Sequence, residues 1–312
     1  MEKKRVTIVG AGHVGATVAR ALAEMNCVQE IVLLDVVEGV PQGKALDIQE
    51  SASLCRFDTR LTGTNDYDDT AGSAITVITA GVARKPGMSR EDLLDTNAKI
   101  VAGVTREILA RSPETIFIVV SNPVDIMTQL VHQVSGLPKQ RVMGMAGVLD
   151  TARFQTFVAE EVGCSYQDVV GMVLGGHGDQ MVPLLRLCTA GGVPVRELIP
   201  EERLQEIVRR TQQGGAEIVS YLKTGSAFYA PGVSVAEMAR AIVTDSKRVM
   251  PCVAALEGEF GISGIMMGVP CVLGNEGVEK ILEFALTEEE RALMEASAAS
   301  IRKNAETIRD YR

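Results

Sequence analysis

A short apolar run, Val6 to Val9, passes directly into Gly10-Ala11-Gly12-His13-Val14-Gly15 and then into a helical pattern. A strand that ends in three glycines at this spacing and restarts as a helix is the opening unit of a parallel sheet that binds a dinucleotide. Gly10 permits the tight turn, Gly12 lets backbone approach a pyrophosphate, and Gly15 lets helix and strand pack closely. Ala11, His13 and Val14 complete the turn, and the helix that follows offers unpaired N–H groups and a partial positive charge to phosphates. The next strand, Ile31 to Leu34, ends in Asp35, twenty residues beyond Gly15. A carboxylate there accepts ribose hydroxyls and repels a 2′-phosphate, which favours NAD over NADP. FAD and other adenine nucleotides use the same turn, so these residues point to a nucleotide and not to a reaction.

The same rhythm continues through the first half of the chain. Strand-like runs at Ile75 to Thr79, Ile116 to Val120 and Val142 to Gly144 alternate with helical stretches at Val14 to Met25, Glu91 to Ala110 and Val124 to Val134. Strand and helix in turn predict parallel strands joined by right-handed crossovers, an α/β, doubly wound sheet of the Rossmann type. After about Met145 the order changes. A helix is expected over Leu149 to Val162, strands at Val169 to Leu174 and Pro183 to Cys188, helices at Glu201 to Leu222 and Val235 to Thr244, strands within Arg248 to Leu273, and a last helix from Glu288 to Ile308. The expected organisation is therefore an N-terminal nucleotide-binding domain, 1–145, and a mixed α+β substrate domain, 146–312. The cleft between them is the expected ligand site.

With 312 residues and 46% hydrophobic content, the chain is long enough for two cores. The net charge of -9 repels nucleic acid and other polyanions, so no nucleic-acid partner is expected, and an anionic ligand needs a local cluster of cations. No uncharged apolar run approaches bilayer length, and the charged start lacks a signal-peptide pattern, so neither membrane association nor secretion is expected. The six cysteines are scattered with no CxxC pair, as in a reducing cytoplasm, and the three histidines lack zinc-ligand spacing, so no metal is expected.

Four segments carry candidate chemistry. Leu174-Gly175-Gly176-His177-Gly178-Asp179 sets one histidine among glycines, and histidine suits reversible proton transfer near neutrality. Leu149-Asp150-Thr151-Ala152-Arg153 puts an acid and a guanidinium three apart on one helix face, where Asp150 could hold the far nitrogen of that histidine. A loop, Ala80 to Arg90, carries Arg84, Lys85 and Arg90 after a sheet strand, a place for anion capture by a lid. Ser121-Asn122-Pro123-Val124-Asp125 offers a donor and acceptor, Asn122, at another strand end. Taken singly, each has a bland reading: a turn histidine, a solvated ion pair, a solvated charge run.

Together and in this order, the four segments resemble the lactate/malate dehydrogenase family over essentially the whole chain. The resemblance implies an NAD-dependent dehydrogenase with His177 as acid/base and Asp150 orienting it. It implies Arg153 on the substrate's first carboxylate, Arg90 polarising the carbonyl as the loop closes, and Asn122 beside it. Val120, Ser121 and Asn97 are implied beside the cofactor. Lactate enzymes of the family carry glutamine where Arg84 stands and malate enzymes carry arginine, which implies a small dicarboxylate substrate, malate or oxaloacetate. They also tend to carry threonine where Ala227 stands. The GGHGD form resembles the lactate-dehydrogenase-like branch of the malate enzymes, which implies a homo-oligomer, a tetramer or alternatively a dimer.

Overall fold

The computed structural model describes residues 4–82 and 90–311, without the side chains of residues 90, 91, 309 and 310. Arg84, Lys85 and the side chain of Arg90 lie outside the described residues.

In the first half, β1 (Arg5–Val9), α1 (His13–Glu24), β2 (Glu30–Leu34), α2 (Val40–Glu50), α3 (Ala52–Cys55), β3 (Arg60–Thr64), β4 (Ile75–Ile78), α4 (Arg90–Arg111), β5 (Ile116–Val119), α5 (Val124–Ser135) and β6 (Val142–Gly144) alternate as the apolar runs predict. The strands pair in parallel in the order β3-β2-β1-β4-β5-β6. The chain crosses first to one side of β1 and then returns to the other, so the crevice for a ligand opens at the carboxyl ends of β1 and β4. Every residue of β2, β4 and β5 is buried, which is why these strands read as unbroken apolar runs and not as alternating ones.

The second half comprises α6 (Gly147–Val162), β7 (Val169–Val170), β8 (Val173–Gly175), β9 (Met181–Pro183), β10 (Thr189–Ala190), β11 (Val193–Pro194), α7 (Val195–Leu198), α8 (Glu201–Leu222), α9 (Tyr229–Val243), β12 (Arg248–Glu257), β13 (Ser263–Gly274), β14 (Gly277–Ile281) and α10 (Glu288–Ala305). Its antiparallel strands extend the sheet of the first half, β12 pairing with β6 and β13, and β8 and β9 following. The main core is accordingly shared, running from Val6 and Phe117 through Val253 to Ala298. A smaller cluster of Phe154, Val158, Leu185, Val195 and Leu204 lies within the second half.

Several expectations needed revision. Pro183 to Cys188 is not a strand: β9 ends at Pro183 and a 3-10 turn, Leu185–Leu187, follows. Its apolar residues Leu185 and Cys188 are there to fill the smaller cluster, not to extend a ladder. The run Val169 to Leu174 breaks into β7 and β8, which join different sheets. The last helix stops at Ala305 and tightens into a 3-10 turn. The helix expected from Val235 starts at Tyr229, because Pro231 sits in its first turn, where a missing N–H costs nothing.

Among the described residues, no helix is long and apolar enough to cross a membrane. All six cysteines are free.

Candidate active site

The turn after β1 is built as its glycines require. Gly10 holds φ +107°, and a Cβ there would lie 2.5 Å from Thr79 Oγ1 and 2.9 Å from the Ala80 nitrogen. A Cβ on Gly15 would stand 1.8 Å from the Gly10 carbonyl oxygen, so α1 can pack on β1 only without it. A Cβ on Gly12 would meet nothing within 4 Å. Open space therefore lies at the mouth of α1, where first-turn N–H groups have no helical partner, and a pyrophosphate fits there.

Ala11 is buried, and its N–H donates to Asp35 Oδ2 at 2.6 Å, while Asp35 Oδ1 accepts from the Val37 N–H at 3.0 Å. These two bonds lock the carboxylate at the end of β2 and leave each oxygen a further lone pair for a ribose hydroxyl. The His13 ring stacks on Phe228 with centroids 4.9 Å apart, while Val14 faces the cleft. The His13 side chain is thus engaged with Phe228, outside the lining of the cleft.

A cavity of about 380 Å³ joins the two halves. The first half supplies Val14, Ala80, Val120, Ser121 and Asn122, and the second supplies Leu149, Arg153, His177, Ser226 and Ala227. Ser121 is buried and its hydroxyl donates to the Ala80 carbonyl at 2.5 Å, which ties the loop after β5 to the loop after β4. Asn97 of α4, 2% exposed, extends the same tie: it accepts from the Val82 N–H at 2.8 Å and donates to the Asn122 carbonyl at 2.8 Å. Its amide is spent on backbone, so it shapes the cavity wall and presents Asn122, which is exposed.

On the other wall, α6 projects Asp150 and Arg153 from one face. His177 Nδ1 lies 2.9 Å from Asp150 Oδ2, and Arg153 Nη1 lies 3.4 Å from Asp150 Oδ1. Asp150 is 2% exposed. A carboxylate only accepts, so Nδ1 carries the proton of the neutral ring and Nε2 is left to exchange a proton with a ligand. Burial pushes the His177 imidazolium down, but the Asp150 charge and hydrogen bond, with a further contribution from Asp125, outweigh it and Arg153, and the net shift is upward. Burial draws the Arg153 guanidinium down and Asp150 holds it up. Thr151, between the two, accepts from the Val173 N–H at 3.0 Å and fastens α6 to β8, the strand that leads into the histidine loop.

Four contributors escaped the sequence reading. Gly214 and Gly215 lie inside α8, where a Cβ on Gly214 would come 3.1 Å from Arg153 Cδ. The signal was present, since paired glycines inside a helix cost about 1 kcal/mol each. Asp125 and Ser297 hold the main chain of the histidine loop at 3.0 and 2.8 Å. Asp125 closes the Ser121 to Asp125 segment, where only Asn122 was given a role, and nothing in its spacing reveals burial. Among the described residues, no group of three or more His, Cys, Asp or Glu could hold a metal ion.

Comparison with known proteins agrees over both halves. Residues 4–144 match the lactate/malate dehydrogenase NAD binding domain, and residues 147–311 match the lactate/malate dehydrogenase alpha/beta C-terminal domain. The malate dehydrogenase of Desulforudis audaxviator is 55% identical over 302 residues, 97% of each chain. The structure of malate dehydrogenase from Salinibacter ruber superposes with a TM-score of 0.94 at 48% identity, covering 98% of each chain. A lactate dehydrogenase from Cryptosporidium parvum, solved with lactic acid and nicotinamide adenine dinucleotide, also reaches a TM-score of 0.94, at 39% identity over 99% of this chain and 98% of that one. Backbone shape therefore does not separate the two substrates.

Proposed function

Because this chain belongs to the lactate/malate dehydrogenase family, we infer that it catalyses the NAD-dependent, reversible oxidation of (S)-malate to oxaloacetate. The observation that carries the reading is the Asp150–His177 contact of 2.9 Å on the wall of a cavity that also holds Arg153 and Asn122. Gly10, Ala11, Gly12, His13, Val14 and Gly15 hold the dinucleotide by backbone, Asp35 its ribose, and Val120, Ser121 and Asn122 line its reactive end, with Asn97 behind them. NAD, when bound, supplies the hydride acceptor.

Arg153 takes one carboxylate of malate in its fork, the geometry a guanidinium suits best. Arg84 takes the other, and Ala227 leaves room for the longer acid. His177 Nε2 removes the hydroxyl proton as the C–H bond breaks, and Asp150 stabilises the imidazolium that results. Arg90 and Asn122 stabilise the charge on the substrate oxygen. In the reverse direction His177 returns the proton.

Residues 1–145 form the cofactor domain in this reading and residues 146–312 the substrate domain. The partners are a small dicarboxylate and further copies of the chain, in a tetramer or alternatively a dimer. The exposed apolar residues Val36, Leu46, Leu54 and Tyr229 support such association, and a mass measurement in solution decides between the two states. The free thiols support a cytoplasmic location, which fractionation tests, and the net negative charge supports the absence of a nucleic-acid partner.

Substrate choice is tested by following NADH absorbance with oxaloacetate and with pyruvate. Pyruvate leaves Arg84 unpaired in a closed site, and a broken buried pair costs about 3–5 kcal/mol, roughly two to four orders of magnitude in rate. Oxaloacetate is the expected substrate, and Arg84→Gln shifts the ratio of specificity constants toward pyruvate by about tenfold or more. An unchanged ratio removes the role given to Arg84, and turnover of pyruvate alone by the wild type removes the malate reading.

A further inference from the structure

The glycine turn after β1 is held in shape by side chains that come from outside it. The Gly10–Ala11 peptide is pinned at both ends: the Gly10 carbonyl accepts from Thr79 Oγ1 at 3.0 Å, and the Ala11 N–H donates to Asp35 Oδ2 at 2.6 Å. The next peptide, Ala11–Gly12, is pinned at one end. Its carbonyl accepts from Lys44 Nζ of α2 at 2.6 Å. In a planar trans peptide the carbonyl and the N–H point in opposite directions, so this bond turns the Gly12 N–H away from the lysine. That N–H has no acceptor among the described residues. It is left for a ligand, beside the N–H groups that open α1, which has no side-chain cap.

Lys44 is itself held in place for this bond. Gln42 Nε2 donates to Asn65 Oδ1 at 2.6 Å, and Asn65 Nδ2 donates to the Asp35 carbonyl at 2.7 Å, which registers the first turn of α2 on the end of β2. Lys44, two residues on, is half-buried and forms no ion pair among the described residues. A partly desolvated ammonium facing a neutral carbonyl costs more than a neutral donor would. The charge becomes favourable when an anion lies across the peptide from it.

We propose that Lys44 is a positioning residue for the cofactor: it sets the Ala11–Gly12 peptide so that the Gly12 N–H meets the pyrophosphate of NAD, and its charge attracts that dianion. This rests on the reading of the turn as the dinucleotide site and adds to it a side chain that acts through the peptide.

The test is calorimetry on the full-length protein with ADP, which carries a pyrophosphate, and with adenosine, which does not. Lys44→Met keeps the apolar stem and removes the donor and the charge. It is expected to bind ADP about tenfold more weakly, the loss of one charge-assisted hydrogen bond, and adenosine within about twofold of wild type. Lys44→Arg, which restores a charged donor, recovers most of the ADP affinity. In steady state, KM for NADH rises in Lys44→Met by about the same factor as the ADP dissociation constant, and kcat at saturating NADH moves far less. Unchanged ADP affinity in Lys44→Met overturns the proposal. So does an equal loss for adenosine, which makes Lys44 a support for the nucleotide pocket as a whole. If the methionine variant does not fold, Lys44→Gln is measured in the same way and judged by the same outcomes. A wild type that binds ADP no better than adenosine sinks the reading of the turn as the phosphate site instead.

Discussion

Two carboxylates flank the His177 loop, and they bear oppositely on stability and chemistry. Asp150 accepts bonds on both oxygens from His177 and Arg153, whereas Asp125 accepts one main-chain bond and leaves an oxygen unmatched. The carboxyl of Asp125 is raised in the folded state from 3.8 to about 6, mainly by burial. A raised carboxyl destabilises the fold as pH climbs through the unfolded value, and the whole penalty is present above the folded value; it amounts to roughly 3 kcal/mol. Asp125→Asn is therefore expected to melt at a higher temperature than wild type at pH 8, with the gap closing as pH falls from 6 toward 4. Thermal unfolding across that range checks it, and a variant less stable at pH 8 contradicts the assignment of a buried charge. At this scale Asp150, Arg153 and His177 were legible because residue type and helical spacing already suggest an acid, a guanidinium and an imidazole meeting. Asp125 was not, because its importance lies in burial, which no local spacing encodes.

The elements show where pattern succeeds. β1, β2, β4 and β5 were readable because burial on both faces writes an unbroken apolar run, and α8 because its apolar face repeats over twenty-two residues. β3, Arg60–Thr64, carries threonine and glycine at a sheet edge, and α2 holds Pro41 and Gly43, so neither announces itself. A Cβ at Gly63 would lie 2.1 Å from the Pro41 carbonyl oxygen, so the glycine that hides β3 is what lets α2 lie against it. In α8 the same conflict between propensity and packing serves the site. Gly214→Ala favours the helix by about 1 kcal/mol but crowds Arg153, so KM for oxaloacetate should rise by about tenfold while thermal stability holds. Steady-state kinetics and a melting curve check both halves, and an unchanged KM means that Arg153 has room to spare.

For the whole molecule, the continuous sheet is the decisive feature. β12 pairs with β6, so the antiparallel strands of the second half are fixed in the frame of the parallel strands of the first. The wall that presents His177 and Arg153 is thereby set against the wall that presents Val120, Ser121 and Asn122. Sequence rhythm indicated two halves and a cleft, but not that they share one sheet, because pairing between distant strands leaves no local mark. The account as a whole turns on one imidazole working in both directions, and the pH dependence of kcat/KM measured each way tests that most directly. Malate oxidation should rise with pH and oxaloacetate reduction should fall, each bending above the ordinary imidazole value because Asp150 and Asp125 outweigh burial, and both bends should vanish in His177→Asn. Profiles that run in the same direction, or bends that survive that substitution, would contradict it.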